Sequence, residues 1–168
     1  MADDQLPAAA RRVQAVIEAA GVPARVVVFS ETTRTAVDAA AAIGCTVAQI
    51  AKSLVFRTDP GDRPVLVVAS GVNRVDERAV ASVLAEQTGG ARIKRADADF
   101  VRANSGFAIG GVPPVGHATP PLVVLDRDLL ALPEIWAAAG TPNAVVQLTP
   151  DQLAALTGGT VAAIAKSA

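Results

Sequence analysis

The spacing of apolar residues alternates along the chain between the helical period and short extended runs. Helical spacing is found over 7–20, 35–44, 75–84 and 98–103, and a capping box opens a last helix at 149–152. Strands are predicted at the apolar runs 25–29, 54–57, 65–69, 91–93, 122–125, 144–148 and 160–164. Interleaved helices and short strands are typical of a layered fold with one mixed sheet.

Turn and cap residues set the expected ends of these elements. Pro60-Gly61-Asp62 is a strong turn signal, so strands 54–57 and 65–69 are expected to pair as a hairpin with a long loop. A helical turn beginning at Val47 is expected to lead into the first of these strands. Asp126 is expected to cap a helix that ends at Gly140 and carries the apolar positions Leu129, Leu132, Ile135, Trp136 and Ala139.

The fold class expected from this pattern is α/β (α+β), a single layered domain over residues 1–168 with helices flanking a mixed sheet. A hairpin makes an all-parallel, doubly wound sheet less favourable, because its two strands are antiparallel. The sequence shows no internal repeat and no shift in composition that would mark a linker.

Composition and charge exclude several classes of protein. Apolar residues make up 51% and charged residues 18%, which excludes a disordered chain. The net charge of −1 excludes a generally basic nucleic-acid coat and a polybasic membrane binder, but it leaves room for a small basic pocket that holds one end of an RNA. Two aspartates stand where a signal peptide would carry basic residues, and the apolar runs are short, so we expect a cytoplasmic protein without a membrane partner.

Familiar catalytic and metal-binding patterns are weak or absent. One cysteine and one histidine give little basis for a metal site, and we expect neither metal nor cofactor. Ser105 does not lie in a G-x-S-x-G elbow, although a triad of Ser105, His117 and Asp126 can be written down. Cys45 is expected to pack as a small apolar side chain. The glycine pairs of the chain lack both the Walker lysine and dinucleotide-binding spacing.

Two places remain as candidates for chemistry. Lys52 lies among apolar residues where a helical turn meets a strand, which suggests either a phosphate ligand or an ordinary exposed lysine. The loop from Gly110 to Pro114 has two glycines followed by two prolines, so it either presents rigid backbone groups to a ligand or is only a tight crossover. His117 just beyond it would contact a ligand or satisfy the loop backbone.

Four motifs occur in the order of a known family. They are Ile50-Ala51-Lys52-Ser53-Leu54-Val55-Phe56, Ser70-Gly71-Val72-Asn73-Arg74-Val75-Asp76, Ser105-Gly106-Phe107-Ala108-Ile109-Gly110-Gly111-Val112-Pro113-Pro114-Val115-Gly116-His117 and Leu125-Asp126-Arg127-Asp128-Leu129. With these motifs the chain resembles, over roughly residues 20–165, the YbaK/prolyl-tRNA-synthetase-associated domain family. These proteins are freestanding relatives of the editing insertion in that synthetase.

The resemblance implies a trans-editing hydrolase that deacylates mischarged aminoacyl-tRNA with a positioned water. The expected substrate is tRNA for proline carrying alanine, cysteine, serine or threonine, bound by its acceptor 3′ end, and prolyl-tRNA synthetase is the possible protein partner. The family's invariant lysine falls on Lys52 and its G-x-x-x-P loop on Gly110 and Pro114, which are therefore the expected catalytic residues. The expected substrate-binding residues are Ser53, Ser70, Asn73, Ile109, Gly111 and His117, with Phe29 as a further candidate pocket wall.

Two other functions stay open at this point. One is a non-catalytic module that binds aminoacyl-tRNA 3′ ends or a synthetase, and the other is a small-molecule ester or thioester hydrolase that uses Ser105 or Cys45. The near-neutral charge predicts weak tRNA affinity with a shallow salt dependence. The local basic cluster Arg92, Lys94, Arg95 and Arg102 would either contact the acceptor end or form a solvated surface.

Overall fold

The computed structural model describes residues 5–30 and 35–167. The helices are α1 (Ala8–Ala19), α2 (Ala36–Ile43), α3 (Glu77–Val83), α4 (Ala85–Thr88), α5 (Ala98–Ser105) and α6 (Pro150–Thr157), with 3-10 turns at Val47–Gln49 and Arg127–Ala131. The strands are β1 (Val26–Val28), β2 (Ile50–Asp59), β3 (Pro64–Ser70), β4 (Arg92–Arg95), β5 (Leu122–Asp126), β6 (Ile135–Ala138), β7 (Ala144–Leu148) and β8 (Thr160–Ala162).

All eight strands belong to one mixed sheet, which confirms the expected α/β class. Seven of them follow the order β1-β7-β6-β2-β3-β5-β8, and β4 pairs with β2 outside this path. The pairs β2–β3 and β6–β7 are antiparallel, whereas β2–β6 and β3–β5 are parallel.

The long strand β2 has two different neighbours on one of its edges. At its start, Ile50 and Ala51 pair with β6, and from Phe56 onward it pairs with β4. Its other edge pairs with β3 along almost its whole length. Among the described residues, the segment 52–55 therefore has a strand on one side only, and we call this opening in the sheet the fork.

The core lies on both faces of β3, which is buried at every residue. Leu66 and Val68 pack on one face in the cluster that includes α1, while Val65, Val67 and Ala69 pack on the other with α3. A strand that is buried on both faces is expected to be continuously apolar, as this one is.

The helix predicted from Asp126 to Gly140 is wrong. Asp126 does accept a hydrogen bond from the backbone N–H of Asp128, but it caps only the 3-10 turn Arg127–Ala131. Pro133 then ends the helical stretch, because proline has no N–H and forces the residue before it, Leu132, into an extended conformation. The chain continues as β6, in which buried Ile135 and Ala137 alternate with half-buried neighbours.

Smaller differences concern the ends of the predicted strands. The first strand of the hairpin, β2, begins at Ile50 instead of residue 54, because the helical turn before it ends at Gln49. The hairpin loop is short, since β2 runs to Asp59 and β3 begins at Pro64. The last strand ends at Ala162, two residues earlier than predicted.

Candidate active site

At the fork, in the centre of the sheet, β2 has backbone groups that pair with no other described strand. The carbonyl of Ile50 accepts from Gly71 N–H, and Thr58 N–H donates to the carbonyl of Arg63, so every second residue of β2 directs its backbone groups toward the hairpin partner. Because backbone direction alternates along a strand, Ser53 and Val55 direct their N–H and C=O groups into the fork. Main-chain donors are thus available there to a ligand.

The loop that follows α5 closes over the fork. Gly110 has a positive φ of 98°, a conformation that side-chain-bearing residues rarely adopt. The carbonyl of Gly111 accepts a hydrogen bond from Gly140 N–H at 2.9 Å. A Cβ on Gly111 would lie 2.8 Å from the carbonyl oxygen of Gly140, so this close approach requires glycine.

Lys52 is held in place by a chain of hydrogen bonds. Its Nζ donates to the backbone carbonyl of Asn73 at 2.6 Å. The side-chain amide of Asn73 donates in turn to Asp126 Oδ2 at 2.8 Å and to Asp128 Oδ2 at 2.7 Å. Asp126 is buried and also accepts from Ser70 N–H at 3.0 Å. The lysine therefore has a defined position without a direct ion pair among the described residues.

The environment of Lys52 lowers its pKa. Burial is the largest cause, because it disfavours the charged ammonium, and the nearby positive charge of Arg74 acts in the same direction. The negative charge of Asp126 opposes both and favours the ammonium.

Two neighbouring cavities meet at Lys52. Both are lined by Lys52, Ser53, Leu54, Ile109, Gly110 and Val112. The first, of about 440 Å³, adds charged walls from Arg74, Glu77, Arg95 and Lys166, and we call it the basic cavity. The second, of about 350 Å³, is walled mostly by alanines with Trp136 and Pro142, and we call it the alanine cavity.

Ser53 carries the buried polar atom of the site that lacks a partner. Its Oγ is inaccessible to water and makes no hydrogen bond with any residue that the structure describes, although Ser53 lines both cavities. An unsatisfied buried hydroxyl is costly in a folded protein and is therefore often explained by function.

Comparison with known proteins identifies the family of this chain. Residues 30–156 match the family model of the aminoacyl-tRNA editing domain, which is more than half of the chain. The chain belongs to the aminoacyl-tRNA editing domain family. The resemblance seen in the sequence motifs is thereby confirmed, and aminoacyl-tRNA editing is the activity that this family is named for.

Individual relatives of this editing domain agree in sequence and fold. A solved structure described as a "putative trans-editing enzyme for prolyl tRNA synthetase" is 45% identical, with a TM-score of 0.88, and the match covers 97% of this chain and all of that one. The hypothetical protein APE2540 is 28% identical with a TM-score of 0.83, covering 92% and 99% of the two chains. The uncharacterized protein YwhH of Bacillus subtilis is 35% identical over 125 residues, 74% of this chain and 76% of its own length.

The editing domain brings four of the expected site residues together. Lys52, Ser53, Ile109 and Gly110 all line both cavities. Asn73 lies behind Lys52 and holds it through its backbone carbonyl. Like Asn73, the expected residues Ser70, Gly111, Pro114, His117 and Phe29 line neither cavity.

Several of these outlying residues support the site from behind. Ser70 is buried, and its hydroxyl donates to the carbonyl of Ala48. His117 Nε2 bonds to the carbonyl of Pro113 at 2.7 Å, so this ring nitrogen satisfies the loop backbone. Burial lowers the pKa of His117, and the bond to the Pro113 carbonyl opposes that effect.

The side chains of the triad that could be written from the sequence are engaged elsewhere. Ser105 Oγ is buried and donates to the carbonyl of Val101, while His117 and Asp126 have the partners described above. Burial raises the pKa of the Cys45 thiol, which disfavours the reactive thiolate, and Cys45 lines neither cavity. These bonds give no support to a serine or cysteine hydrolase.

The basic cluster predicted from the sequence divides into two parts. Arg95 lines the basic cavity, whereas Arg92, Lys94 and Arg102 line neither cavity. Arg92 and Lys94 both pair with Asp59, at 3.1 and 2.8 Å. Arg74 and Lys166 complete that wall and were missed by sequence reasoning. Arg74 lies within the second family motif, and that motif could have indicated it as a site residue. No motif or local pattern indicates Lys166.

Within the part of the chain that the structure describes, no three His, Cys, Asp or Glu side chains gather as metal ligands. None of the helices described there has the length and apolar character needed to cross a membrane.

Proposed function

We propose that the protein hydrolyses the ester bond of mischarged aminoacyl-tRNA, with tRNA for proline carrying alanine, cysteine, serine or threonine as its substrate. The observation that carries the proposal is the position of Lys52 and Gly110 at the junction of a basic and an apolar cavity. An aminoacyl 3′ end has the same division, because anionic phosphates lie on one side of its ester and a small side chain on the other.

The two cavities suggest how this substrate is oriented. The terminal nucleotide and its phosphates enter the basic cavity, where positive side chains neutralise them. The amino-acid side chain enters the alanine cavity, whose described walls beyond the shared residues carry no charge. The ester then lies over the fork, next to the loop backbone at Gly110.

The reaction proposed is direct attack by water. The water oxygen bonds to the ester carbonyl carbon, the bond from that carbon to the ribose oxygen breaks, and the ribose oxygen takes up the proton that water loses. The products are the free amino acid and uncharged tRNA. An aminoacyl ester is already activated, so placing the water and neutralising nearby charge supply much of the acceleration.

Each residue at the junction has a role in this proposal. The ammonium of Lys52 binds the 3′-terminal phosphate or ribose, and the carbonyl of Gly110 helps to position the attacking water and the substrate's amino group. Backbone N–H groups in the fork face the ester oxygen on which negative charge develops. Loss of the Lys52 contact is expected to cost about 1.5–3 kcal/mol, or roughly 10- to 150-fold in kcat/KM.

The deciding experiment is a deacylation assay on tRNA for proline charged separately with alanine, cysteine, serine, threonine and proline. The wild type, Lys52→Ala and Lys52→Arg are compared with Lys94→Ala, which removes a lysine that is paired with Asp59 outside both cavities. We expect rapid loss of a wrong amino acid, retention of proline, and a large decrease for Lys52→Ala but not for Lys94→Ala.

Two results would contradict the proposal. Equal activity of Lys52→Ala and Lys94→Ala would remove Lys52 from the site. No hydrolysis of any charged tRNA, together with binding of its 3′ end, would instead identify a non-catalytic binding module. The near-neutral charge of the protein also suggests delivery by a partner, so the assay is repeated with prolyl-tRNA synthetase present.

A further inference from the structure

Positive charge is concentrated at one place in a chain that has a net charge of −1. The basic cavity is lined by Lys52, Arg74, Arg95 and Lys166 against the single carboxylate of Glu77, which gives a local net charge of +3. A cavity lined by one sign of charge focuses the field and attracts ligands of the opposite sign.

The C-terminal segment brings Lys166 to this wall. Lys166 N–H donates to the carbonyl of Arg74, and Asp76 N–H donates to the carbonyl of Ile164, both at 2.7 Å. Ala165 forms an antiparallel bridge with Val75, and the Ile164 side chain is fully buried. The segment 164–166 is therefore fixed to the chain that precedes α3 and holds Lys166 beside Arg74.

The three outer cations form no ion pairs within the described part of the chain. Arg74, Arg95 and Lys166 are exposed, and none has a side-chain ion pair with another described residue. Other cations nearby behave differently, because Arg92 and Lys94 share Asp59 and Arg57 pairs with Asp62. Like charges that outnumber the carboxylates around them repel one another, and an anion between them relieves this repulsion.

We propose that Arg74, Arg95 and Lys166 bind phosphodiester groups of the tRNA 3′ end, so that the C-terminal segment 164–166 is part of the substrate site. This inference rests on the proposed function, because it supplies the phosphate side of the same ester site. Lys166 lies beyond residue 156, where the family match ends. Arginine and lysine side chains that are not engaged in ion pairs are the usual ligands of phosphate.

The test measures RNA binding separately from hydrolysis. A single-stranded RNA with the acceptor sequence and its CCA end, carrying no amino acid, is labelled with a fluorophore at its 5′ end. Its binding to the full chain is followed by fluorescence anisotropy over a range of salt concentrations. The variants are Arg74→Ala, Arg95→Ala, Lys166→Ala and Lys166→Arg. Arg63→Ala is the matched control, since Arg63 precedes Pro64 at the far end of the hairpin and lines neither cavity.

The expected size of the effect follows from counterion release. Each phosphate contact on a single strand contributes about 0.7 to the slope of log affinity against log salt. Each alanine variant should therefore lower the slope by about 0.7. The loss of affinity relative to the wild type should then be about fivefold larger at ~0.1 M salt than at ~1 M salt. Lys166→Arg and Arg63→Ala should bind as the wild type does, and KM for aminoacyl-tRNA should rise in Lys166→Ala.

The outcomes separate this proposal from the proposed function. Wild-type affinity and slope in all three alanine variants, or a loss as large in Arg63→Ala, would refute the phosphate site even if the protein deacylates tRNA. Weakened RNA binding in the three variants with no deacylation would support the phosphate site and contradict the hydrolase. Circular dichroism and thermal melts confirm that each variant is folded.

Discussion

Asp126 connects the buried interior to the candidate active site and offers a sharp test of how Lys52 is held. Its carboxylate accepts hydrogen bonds from Ser70 N–H at 3.0 Å, from the Asn73 amide at 2.8 Å and from Asp128 N–H at 2.9 Å. Asn73 in turn holds the Lys52 ammonium. The substitution Asp126→Asn keeps the shape of the side chain but removes its charge and one of its two acceptor atoms.

The expected cost in stability follows from these bonds. In its best orientation the new amide keeps the oxygen that faces Ser70 and Asn73, loses the bond from Asp128, and turns two charge-assisted bonds into neutral ones. Hydrogen bonds to charged groups contribute about 1.5–3 kcal/mol and neutral ones about 0.5–1.5 kcal/mol. The free energy of unfolding should therefore fall by about 3.5–6 kcal/mol, which lowers Tm by roughly 7–24 °C for a chain of this size.

The same substitution should also change the pH dependence of deacylation. The negative charge of Asp126 raises the pKa of Lys52, whereas burial and Arg74 lower it. Without that charge the pKa falls further, so the ammonium is lost at a lower pH. The decline of kcat/KM at high pH should therefore begin at lower pH in Asp126→Asn than in the wild type.

The assay is kcat/KM for mischarged tRNA from about pH 6 to about pH 9, with uncatalysed ester hydrolysis subtracted. Asp151→Asn is the control, because it removes an exposed carboxylate in the first turn of α6. An unchanged high-pH decline in Asp126→Asn, despite a lower Tm, would refute the coupling and leave Asp126 a purely structural residue. The double variant Asp126→Asn/Lys52→Ala gives a second test. If the activation free-energy changes of the two single variants simply add in it, the coupling is also refuted.

Three further substitutions test other parts of the site. Ser53→Ala removes a buried hydroxyl that has no hydrogen-bond partner among the described residues, so unfolding in urea should show a gain in stability of about 1 kcal/mol, while kcat/KM falls if the substrate uses this group. Because the pKa of His117 is lowered in the folded protein, the unfolded chain takes up a proton on this residue at a higher pH than the folded one. Stability should therefore decrease as pH falls through about 6.5, and His117→Gln should flatten this decrease. Gly111→Ala places a Cβ 2.8 Å from the Gly140 carbonyl oxygen, so Tm should fall by an amount equivalent to about 1–3 kcal/mol, and an unchanged melt would show that the loop shifts freely.

Local pattern was sufficient where one period dominates a segment. The apolar run that became β3, the capping box at Thr149 and the turn between β2 and β3 were all predicted from neighbouring residues. The prediction of a helix before Gly140 was wrong because the apolar residues of that segment happen to repeat at helical spacing. Pro133 decides against a helix there, and the pairing of β6 with β2 and β7 then selects the strand.

The site shows the same limit of local information. Lys52, Ser53, Ile109 and Gly110 were expected from motifs, and the structure brings them together at the cavity junction. Lys166 could not be predicted, because it reaches the site through backbone bonds between the C-terminal segment and Arg74. Such a contact depends on the whole sheet being formed and leaves no periodic signal in the sequence.

The fork also determines how β2 exchanges its amide hydrogens with solvent. Amides of Lys52, Leu54 and Phe56 point toward β3 and are shielded by it, so they should exchange slowly, near the rate set by global unfolding. Those of Ser53 and Val55 point into the opening, where no described strand pairs with them. The most central strand of the sheet should thus show two fast amides between slow ones, and a bound 3′ end would slow those two.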